Sequence, residues 1–297
     1  LFYLTLFLAI VIFAAFIYGR FYTDLKVRSG FFLSRIDFFE KRRPSIAIVS
    51  LLNGSLSTAK YKTALNSVKC YALQNDYEFI LKSDEGYEGL CRQRDFFFKR
   101  HCIVANILES HDFEWILFTD TDIGVVNEKI RIEKYIKDDA HIIFYDRIFN
   151  FEIMAGSYLA KKSNFSITFL RGWANYEKKI PPRFSGSDNG AIHVRISLVV
   201  EKTKRIHFAK ALKIQTNRSI YVYKKGMGWA RDAWLTNSHW SLERDFMFHA
   251  LKEKDRRNFT MADKSVFSRR LSNGDYFPWI NTLRTPLDME KCRKSKA

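Results

Sequence analysis

Apolar runs of strand length alternate with stretches of helical periodicity in the first half of the chain. The run SIAIVSLL (45–52) lies between Pro44 and the polar sequence NGS, which is typical of a strand buried on both faces. A helical stretch follows at 58–76, and YEFILKSD (77–84) predicts the next strand. The pattern therefore predicts a strand, helix, strand unit at the start of a globular domain.

The alternation continues along the chain. A helix is predicted at 92–110, a third strand at EWILFTD (114–120), a helix at 128–138 and a fourth strand at HIIFYD (141–146). One face of the first of these helices is formed by residues at helical spacing: Phe97, His101, Val104 and Leu108. Strands that alternate with helices predict an α/β fold with a mixed, mainly parallel sheet flanked by helices.

The pattern is weaker after residue 150. An extended, glycine-interrupted strand is expected at 151–163, a helix at 167–177, and a loop that enters a helix at 187–200. The last hundred residues show no clear periodicity, and no repeat or linker interrupts them. We expect a single α/β domain over residues 44–297.

The first 19 residues, LFYLTLFLAIVIFAAFIYG, carry no charge. A helix of that length nearly matches the roughly 30 Å hydrocarbon core of a bilayer, which predicts a transmembrane helix over residues 1–19. The alternative is a cleaved signal peptide, although the apolar run is longer than usual and no small-x-small cleavage site follows it. Residues 20–43 are interpreted as a basic stem, and by the positive-inside rule they would place the following domain in the cytosol. Missing upstream residues with a stronger basic cluster would reverse that orientation.

Composition narrows the possible partners. The 49 Lys and Arg residues against 32 Asp and Glu give a formal charge of +17, which suits nucleic acid, a membrane surface or a phosphorylated small molecule. No helix-turn-helix, zinc-finger or RNP-like pattern accompanies the basic residues, so we expect no nucleic-acid partner. The four cysteines allow two disulfides in any of three pairings, or buried free thiols.

Two aspartates follow the third predicted strand in WILFTDTDIGVVN (115–127). Ligands of open parallel sheets bind outside the carboxyl ends of the strands, where Asp120 and Asp122 would lie. Mg²⁺ and Mn²⁺ accept one or two carboxylates and complete their shells with water and phosphate oxygens. The pair therefore predicts a metal-diphosphate site. A solvated Asp-x-Asp turn is the alternative, and a D-x-D-x-[TV] phosphatase motif is disfavoured by the Ile123 and Gly124 that follow.

Four blocks of sequence, in order, carry a family resemblance: WILFTDTDIGVVN, DRIFNFEIMAGSYLAKKSNFSITFLRGWANYE, SGSDNGAIH and GWARDAWLTNSHWSLERDFMFHALK. The sequence resembles a nematode-expanded family of uncharacterised, membrane-anchored, nucleotide-diphospho-sugar transferase-like proteins. That family is distantly similar to the GT-A galactosyl-, mannosyl- and xylosyltransferases. The resemblance covers roughly residues 44–255.

The resemblance implies a GT-A-like fold and a glycosyltransferase. Such an enzyme moves a hexose from a nucleotide-sugar, such as a UDP- or GDP-hexose, to a glycan or glycoprotein acceptor, with retention of configuration as in the distant relatives. Asp120, Asp122 and His249 would hold Mn²⁺ or Mg²⁺, and a neutral imidazole favours Mn²⁺. Lys252 would supply a point charge for phosphate. The resemblance also implies a single-pass type II protein of the Golgi or endoplasmic reticulum membrane, with the catalytic domain in the lumen.

Further site residues follow from the same resemblance. Asp188 and Asn189 lie where related enzymes carry residues near the sugar and the acceptor, although Asp188 could equally cap the next helix. Asp84 and Arg94 are candidates for contact with the nucleotide. Gly156 would let substrate approach the backbone of a strand that passes the active site.

The chain departs from the family pattern at a few positions. The acidic motif of the family is D-A-D-I-G-V-V-N-P and the C-terminal one is H-G-W-K, whereas this chain has Thr121, Glu128, Ala250 and Leu251. If the glycine permits close approach of the diphosphate, Ala250 would weaken donor binding. The alternative function is therefore a catalytically silent sugar- or nucleotide-binding membrane protein on the same fold.

Overall fold

A computed structural model describes most of the globular domain. The described residues are 42–54, 58–148, 150, 152–181, 186–203, 219–232, 245–254, 290 and 292. The predicted transmembrane helix and nearly all of the stem lie outside them. No helix among the described residues is long and apolar enough to cross a membrane.

Strands in the described part of the chain form two sheets. They are β1 Ile46–Leu52, β2 Glu78–Ser83, β3 Trp115–Thr119, β4 Gly124–Val125, β5 Ile142–Tyr145, β6 Ser157–Lys161, β7 Ile220–Tyr223, β8 Ala230–Asp232 and β9 Met247–His249. The α-helices are α1 Lys62–Asn75, α2 Phe96–Ser110, α3 Asn164–Ala174 and α4 Ser187–Thr203. The large sheet has the order β2-β1-β3-β6-β5-β7, and the small sheet has the order β4-β9-β8.

The large sheet is mixed. β6 runs antiparallel to its neighbours β3 and β5, and the other neighbouring pairs are parallel. Alternate residues of β1 face opposite cores, with Ile48 on the side covered by α1 and Val49 on the side covered by α2, α3 and α4. The predicted mixed α/β sheet with flanking helices is confirmed.

The helix predicted at 128–138 is wrong. Only a short 3₁₀ turn, Ile132–Tyr135, forms there. In the sheet, β3 and β5 are not neighbours, because β6 lies between them. Ile130, Ile132 and Tyr135 are all buried in the core beside α1, and the Ile130 carbonyl accepts a hydrogen bond from the Tyr71 hydroxyl at 2.8 Å. Tertiary packing of these apolar residues overrides their helical spacing.

The apolar face predicted for α2 needs one correction. His101, Val104 and Leu108 are buried, but Phe97 is 50% exposed. Asp95 caps the helix by accepting a hydrogen bond from the Phe97 backbone N–H at 2.8 Å, so Phe97 lies in the first turn. Its ring lies 5.1 Å from the Arg100 guanidinium carbon, an arrangement that suits a cation–π contact.

Two disulfides resolve the cysteine pairing that the sequence left open. Cys70 of α1 is bonded to Cys292, and Cys91 is bonded to Cys102 of α2. The first bond ties the C-terminal end of the chain to the domain across 222 residues of sequence. The second fixes the loop that leads into α2.

The small sheet brings distant segments to the end of β3. β9 pairs antiparallel with β4, directly after the acidic motif, and parallel with β8. In the second pairing Asp232 lies opposite His249. The small sheet therefore positions side chains from three parts of the chain beside the carboxyl end of β3.

Candidate metal centre

The two aspartates of the acidic motif lie in a turn between the two sheets. The Asp120 backbone N–H donates to the Gly156 carbonyl at 2.8 Å, and the Asp120 carbonyl accepts from the Ile123 N–H at 3.0 Å. The Asp122 carbonyl accepts from the Leu251 N–H at 2.7 Å. These bonds join the turn to β6 on one side and to the segment after β9 on the other.

His249 and Lys252 reach the same turn. One ligand atom each of Asp120, Asp122 and His249 lies within 4.8 Å of the other two. His249 Nε2 is 3.6 Å from one Asp122 carboxylate oxygen, and Lys252 Nζ is 3.4 Å from the other. The structure thus brings together the three residues predicted to hold a metal, and it places Lys252, with its side chain 40% exposed, at their edge.

The negative charges of Asp120, Asp122 and Asp232 lie close together, and a bound cation would offset them. Burial raises the pKa of Asp120, and the nearby charge of Asp122 adds to that rise against the opposing effect of Arg100. Burial alone would lower the pKa of His249, but hydrogen bonding to Asp232 and the charges of Asp122 and Asp232 raise it. Two carboxylates and one imidazole are a donor set that suits Mn²⁺ better than Mg²⁺.

Arg100 of α2 binds the Asp120 carboxylate on its buried side. Arg100 is a site residue that the sequence patterns did not predict. Its guanidinium donates to one carboxylate oxygen of Asp120 at 2.5 Å and to Asp188 at 2.5 and 3.2 Å. The Arg100 side chain is buried, and these carboxylates raise its pKa against the effect of burial. A charged Lys-Arg-His run inside an otherwise apolar helix was the available sequence signal.

Asp188 is buried behind Asp120 rather than at the surface. Its carboxylate accepts from Arg100 and, at 2.9 Å, from His101 Nε2. Burial alone would raise the pKa of Asp188, but the charge of Arg100 and the hydrogen bond from His101 hold it below its usual value. Because α4 begins at Ser187, Asp188 lies in the first turn and does not cap the helix.

His101 completes this buried cluster. Its ring stacks on Trp173 at a centroid distance of 3.4 Å, and its Nδ1 lies 3.1 Å from the Tyr158 hydroxyl. Burial lowers the pKa of His101 to about 4, although the hydrogen bond to Asp188 opposes this effect. The neutral ring therefore donates through Nε2, which fixes the orientation of the Asp188 carboxylate.

Within the described part of the chain, the other predicted site residues show no hydrogen bond to the triad of Asp120, Asp122 and His249. They are Asp84, Arg94 and Asn189. Asp84 accepts from the Gly54 N–H at 2.5 Å and from Lys99 Nζ at 3.0 Å. Arg94 is exposed and lies just before α2. Asn189 is half-buried in the first turn of α4. Their predicted roles in nucleotide or sugar contact stay predictions.

Gly156 has a different role from the one expected. A Cβ at this position would lie 2.9 Å from Asp120 Cγ and 2.7 Å from Met154 Cε. The space above the Gly156 backbone is thus occupied by the Asp120 side chain, not left for substrate. The glycine is required because only hydrogen fits beside the carboxylate.

Ala250 occupies a position that explains the glycine of the family pattern. Its φ of +70° is in the left-handed region, which an L-residue with a Cβ adopts at a cost of about 1 kcal/mol or more. The glycine is therefore explained by backbone conformation, without reference to a ligand. The expectation that Ala250 weakens donor binding stays a prediction.

Asp232 is the second site residue that the sequence analysis missed. It is buried, and its carboxylate lies 2.7 Å from His249 Nδ1 and 2.9 Å from an Arg147 guanidinium nitrogen. Burial alone would raise the pKa of Asp232, but hydrogen bonds from His249 and Arg147 lower it. Asp232 lies in the GWARDAW block, but no local spacing pairs it with a histidine 17 positions later.

Comparison with solved structures relates this fold to glycosyltransferases. A crystal structure of a glycosyltransferase involved in glycosylation of the major capsid of PBCV-1 has a TM-score of 0.52 and 14% identity, with 74% of this chain and 100% of that chain covered. At this identity the likeness shows a shared fold.

Two further structures are more distant. GlyE of Streptococcus pneumoniae TIGR4 has a TM-score of 0.43 and 10% identity, with 80% of this chain and 65% of that chain covered. The galactosyltransferase LgtC, solved in complex with donor and acceptor sugar analogues, has a TM-score of 0.32 and 12% identity, with 74% and 96% covered.

Sequence comparison gives the family. No curated protein matches the chain. A family model described as "Protein of unknown function, DUF273" matches residues 68–222 and 213–266. The matched segments span more than half of the 297 residues, and the chain therefore belongs to the DUF273 family.

Proposed function

We propose that this protein is a metal-dependent glycosyltransferase. It would move a hexose from a nucleotide-sugar, such as a UDP- or GDP-hexose, to a glycan or glycoprotein acceptor, with retention of configuration. The observation that carries the proposal is the meeting of Asp120, Asp122 and His249 at the carboxyl end of β3, in a fold shared with a glycosyltransferase. A metal-binding triad at that end of a sheet is suited to a diphosphate ligand.

The three residues of the triad would hold Mn²⁺, or less favourably Mg²⁺. A bound divalent cation supplies positive charge that stabilises the diphosphate as the glycosidic bond breaks. Arg100 keeps one oxygen of Asp120 occupied, which leaves the other oxygen available as a ligand. Lys252 is exposed beside Asp122 and would donate to a phosphate oxygen.

The buried cluster behind Asp120 would give the site its rigidity. His101 fixes the Asp188 carboxylate, Asp188 fixes the Arg100 guanidinium, and Arg100 fixes Asp120. The Asp120 side chain, held in this way, loses little conformational freedom when a cation binds to it. Asp188 would then act on the metal site through Arg100, and Asn189, half-buried in the same helical turn, stays a candidate for contact with the sugar.

The decisive experiment is hydrolysis of a panel of nucleotide-sugars by the full chain in detergent, with and without Mn²⁺. We expect Mn²⁺-dependent turnover of at least one UDP- or GDP-hexose and its loss in Asp122→Ala. Asp112→Ala is the matched control, because Asp112 is fully exposed and its ion pair with Lys162 contributes little. Equal turnover in Asp122→Ala, or none in the intact protein, would contradict the proposal.

A silent binding protein is the second candidate, and the departure from the family pattern at Ala250 and Leu251, beside His249, is the observation that favours it. The two functions separate in a single comparison. Mn²⁺-dependent binding of a nucleotide-sugar without turnover, in the presence of a range of glycan acceptors, would support the silent protein. Turnover of any donor removes that candidate.

We further propose that residues 1–19 anchor the protein in the Golgi or endoplasmic reticulum membrane, with the catalytic domain in the lumen. Two disulfides within the domain support an oxidising compartment. Asn53 and Asn164 each begin an Asn-x-Ser sequence, and both asparagines are exposed, as an acceptor of N-glycosylation would be. Endoglycosidase treatment of protein expressed in animal cells is expected to shift its mobility, and an unshifted band would contradict the lumenal orientation.

A further inference from the structure

Asp232 is a buried carboxylate placed directly against the candidate ligand His249. The parallel pairing of β8 with β9 sets the two residues opposite each other. One Asp232 oxygen lies 2.7 Å from His249 Nδ1. The strand pairing thus brings the carboxylate beside the imidazole.

Arg147 fixes Asp232 in turn. The guanidinium donates to both Asp232 oxygens, at 2.9 and 3.2 Å, and this fork geometry sets the plane of the carboxylate. Arg147 also donates to Glu152 at 3.0 Å. The side chains therefore form a continuous chain from Glu152 through Arg147 and Asp232 to His249.

This series of contacts determines which ring nitrogen of His249 carries the proton. A carboxylate only accepts hydrogen bonds, so the ring must carry a proton on Nδ1. In the neutral ring the lone pair is then on Nε2, which points towards Asp122 at 3.6 Å. Histidine ligands of metals commonly donate their other N–H to a carboxylate in this way.

We propose that Asp232, held by Arg147, is a positioning residue that presents Nε2 of His249 to a divalent cation shared with Asp120 and Asp122. The inference rests on the metal-binding role given to the triad under the proposed function. It does not depend on the identity of the donor or the acceptor.

A neighbouring ion pair supplies the matched control. Arg231, also on β8, donates to Asp245 at 2.5 Å, and both residues are buried. Loss of Asp245 would cost stability as loss of Asp232 would, because each change removes a buried carboxylate that is paired with an arginine. A purely structural role for Asp232 predicts that the two variants behave alike.

The first test is Mn²⁺ affinity of the full chain, measured from the EPR signal of free Mn²⁺. Asp232→Leu is expected to raise the Kd by about 10 to 100-fold. Asp232→Asn should raise it less, because the amide oxygen still accepts from Nδ1. Asp245→Leu and Asp245→Asn should leave the Kd unchanged. In a His249→Ala background, Asp232→Leu should have no further effect, since the two residues act through one ligand.

The second test needs no metal. Long-range ¹H–¹⁵N NMR at alkaline pH, where the ring is neutral, should show the proton of His249 on Nδ1 in the native chain and a mixture of tautomers in Asp232→Leu. If Asp232→Leu does not fold, Asp232→Asn against Asp245→Asn carries the comparison of affinities. A proton on Nε2 in the native chain would overturn the inference.

The outcomes separate this inference from the proposed function. Mn²⁺ binding that is equal in the native chain, Asp232→Leu and Asp232→Asn overturns the role of Asp232 and leaves the metal site intact. The NMR test could show an Nδ1–H tautomer that depends on Asp232 while the chain does not bind Mn²⁺. That result overturns the metal-dependent function, and with it the presentation of Nε2 to a cation. A larger Kd in Asp232→Leu than in Asp245→Leu supports both.

Discussion

Two buried aspartates, Asp188 and Asp232, each lie behind one member of the candidate metal triad, but they support it through opposite chemistry. Asp188 acts through a cation, because Arg100 lies between it and Asp120. Asp232 contacts His249 with no residue between them. Both side chains are almost inaccessible to solvent, with exposed fractions of 2% and 5%.

The difference follows from the groups that they support. A carboxylate such as Asp120 can be held only by donors, so its buried support is a guanidinium that takes up one oxygen and part of its charge. An imidazole has one nitrogen to spare, so an acceptor at Nδ1 holds the ring while Nε2 stays available. Support for Asp120 thus competes with a metal for one oxygen, whereas support for His249 leaves its ligand nitrogen unaffected.

The largest effect is expected from removing Asp188. Asp188→Ala leaves Arg100 and His101 buried with one hydrogen-bond acceptor fewer, and we expect it to lower the free energy of unfolding by about 3 to 5 kcal/mol. Asp232→Ala should cost less, about 1 to 3 kcal/mol, since Arg147 keeps Glu152 as a partner. Urea denaturation of both variants measures the comparison. An equal or larger loss in Asp232→Ala would show that the two clusters are not different in the way described.

Acid should destabilise the Asp188 cluster through His101. Its pKa is about 4 in the folded protein and close to 6.5 in the unfolded chain, so the unfolded state binds the proton more readily. The contribution of the neutral His101 to the free energy of unfolding is therefore fully present above pH 6.5. It is lost as the pH falls towards 4. The loss is roughly 3 kcal/mol in total.

Urea denaturation at a series of pH values between these limits tests that expectation. His101→Gln removes the titrating group and keeps a side-chain N–H that can donate to Asp188. Its free energy of unfolding should depend less on pH than that of the native chain. Parallel curves for the two proteins would assign the acid sensitivity to other groups.

Gly156→Ala should disturb Asp120 without touching the His249 side. The added methyl group would meet the Asp120 carboxylate, whose position is fixed by Arg100. We expect the free energy of unfolding to fall by about 1 to 3 kcal/mol and Mn²⁺ binding to weaken. Gly89→Ala is the control, since a Cβ there meets no atom within 4 Å. If Gly156→Ala behaves as Gly89→Ala does, Asp120 is less firmly held than the structure indicates.

Local sequence patterns predicted most of the sheet because buried strands such as β1 and β3 are continuous apolar runs. They did not predict the antiparallel insertion of β6 or the 3₁₀ turn at Ile132–Tyr135. Strand pairing joins residues far apart in the chain, as in the register of Leu117 with Leu159. No window of local periodicity contains that information.

The candidate site likewise contains residues that the sequence predicted and residues that only the structure shows. Asp120 and Asp122 were found from a motif, and His249 was found from a matched block. Arg100 and Asp232 were missed because their roles are defined only by partners that the fold brings close. Arg100 meets Asp188 across 88 positions of sequence, and Asp232 meets Arg147 across 85.

The smallest effect is expected from Ala250→Gly, which tests whether the departure from the family pattern costs backbone energy or a ligand. Glycine would relieve the left-handed strain at φ +70°, a gain of about 1 kcal/mol that the greater freedom of the unfolded chain partly offsets. We expect a net stabilisation of about 0.5 kcal/mol in urea denaturation. Mn²⁺ affinity should not change, since the Leu251 N–H keeps its bond to the Asp122 carbonyl.

The control for that substitution is Ala191→Gly, in the ordinary helical backbone of α4, which should lose about 1 to 2 kcal/mol because glycine disfavours the helix and a buried methyl group is removed. Opposite signs for the two glycines would assign the effect at position 250 to its conformation. If Ala250→Gly instead tightened Mn²⁺ binding several-fold without a change in stability, the alanine would be acting on the His249 side of the triad. The asymmetry between the Asp188 and Asp232 clusters would then include a steric restraint next to His249.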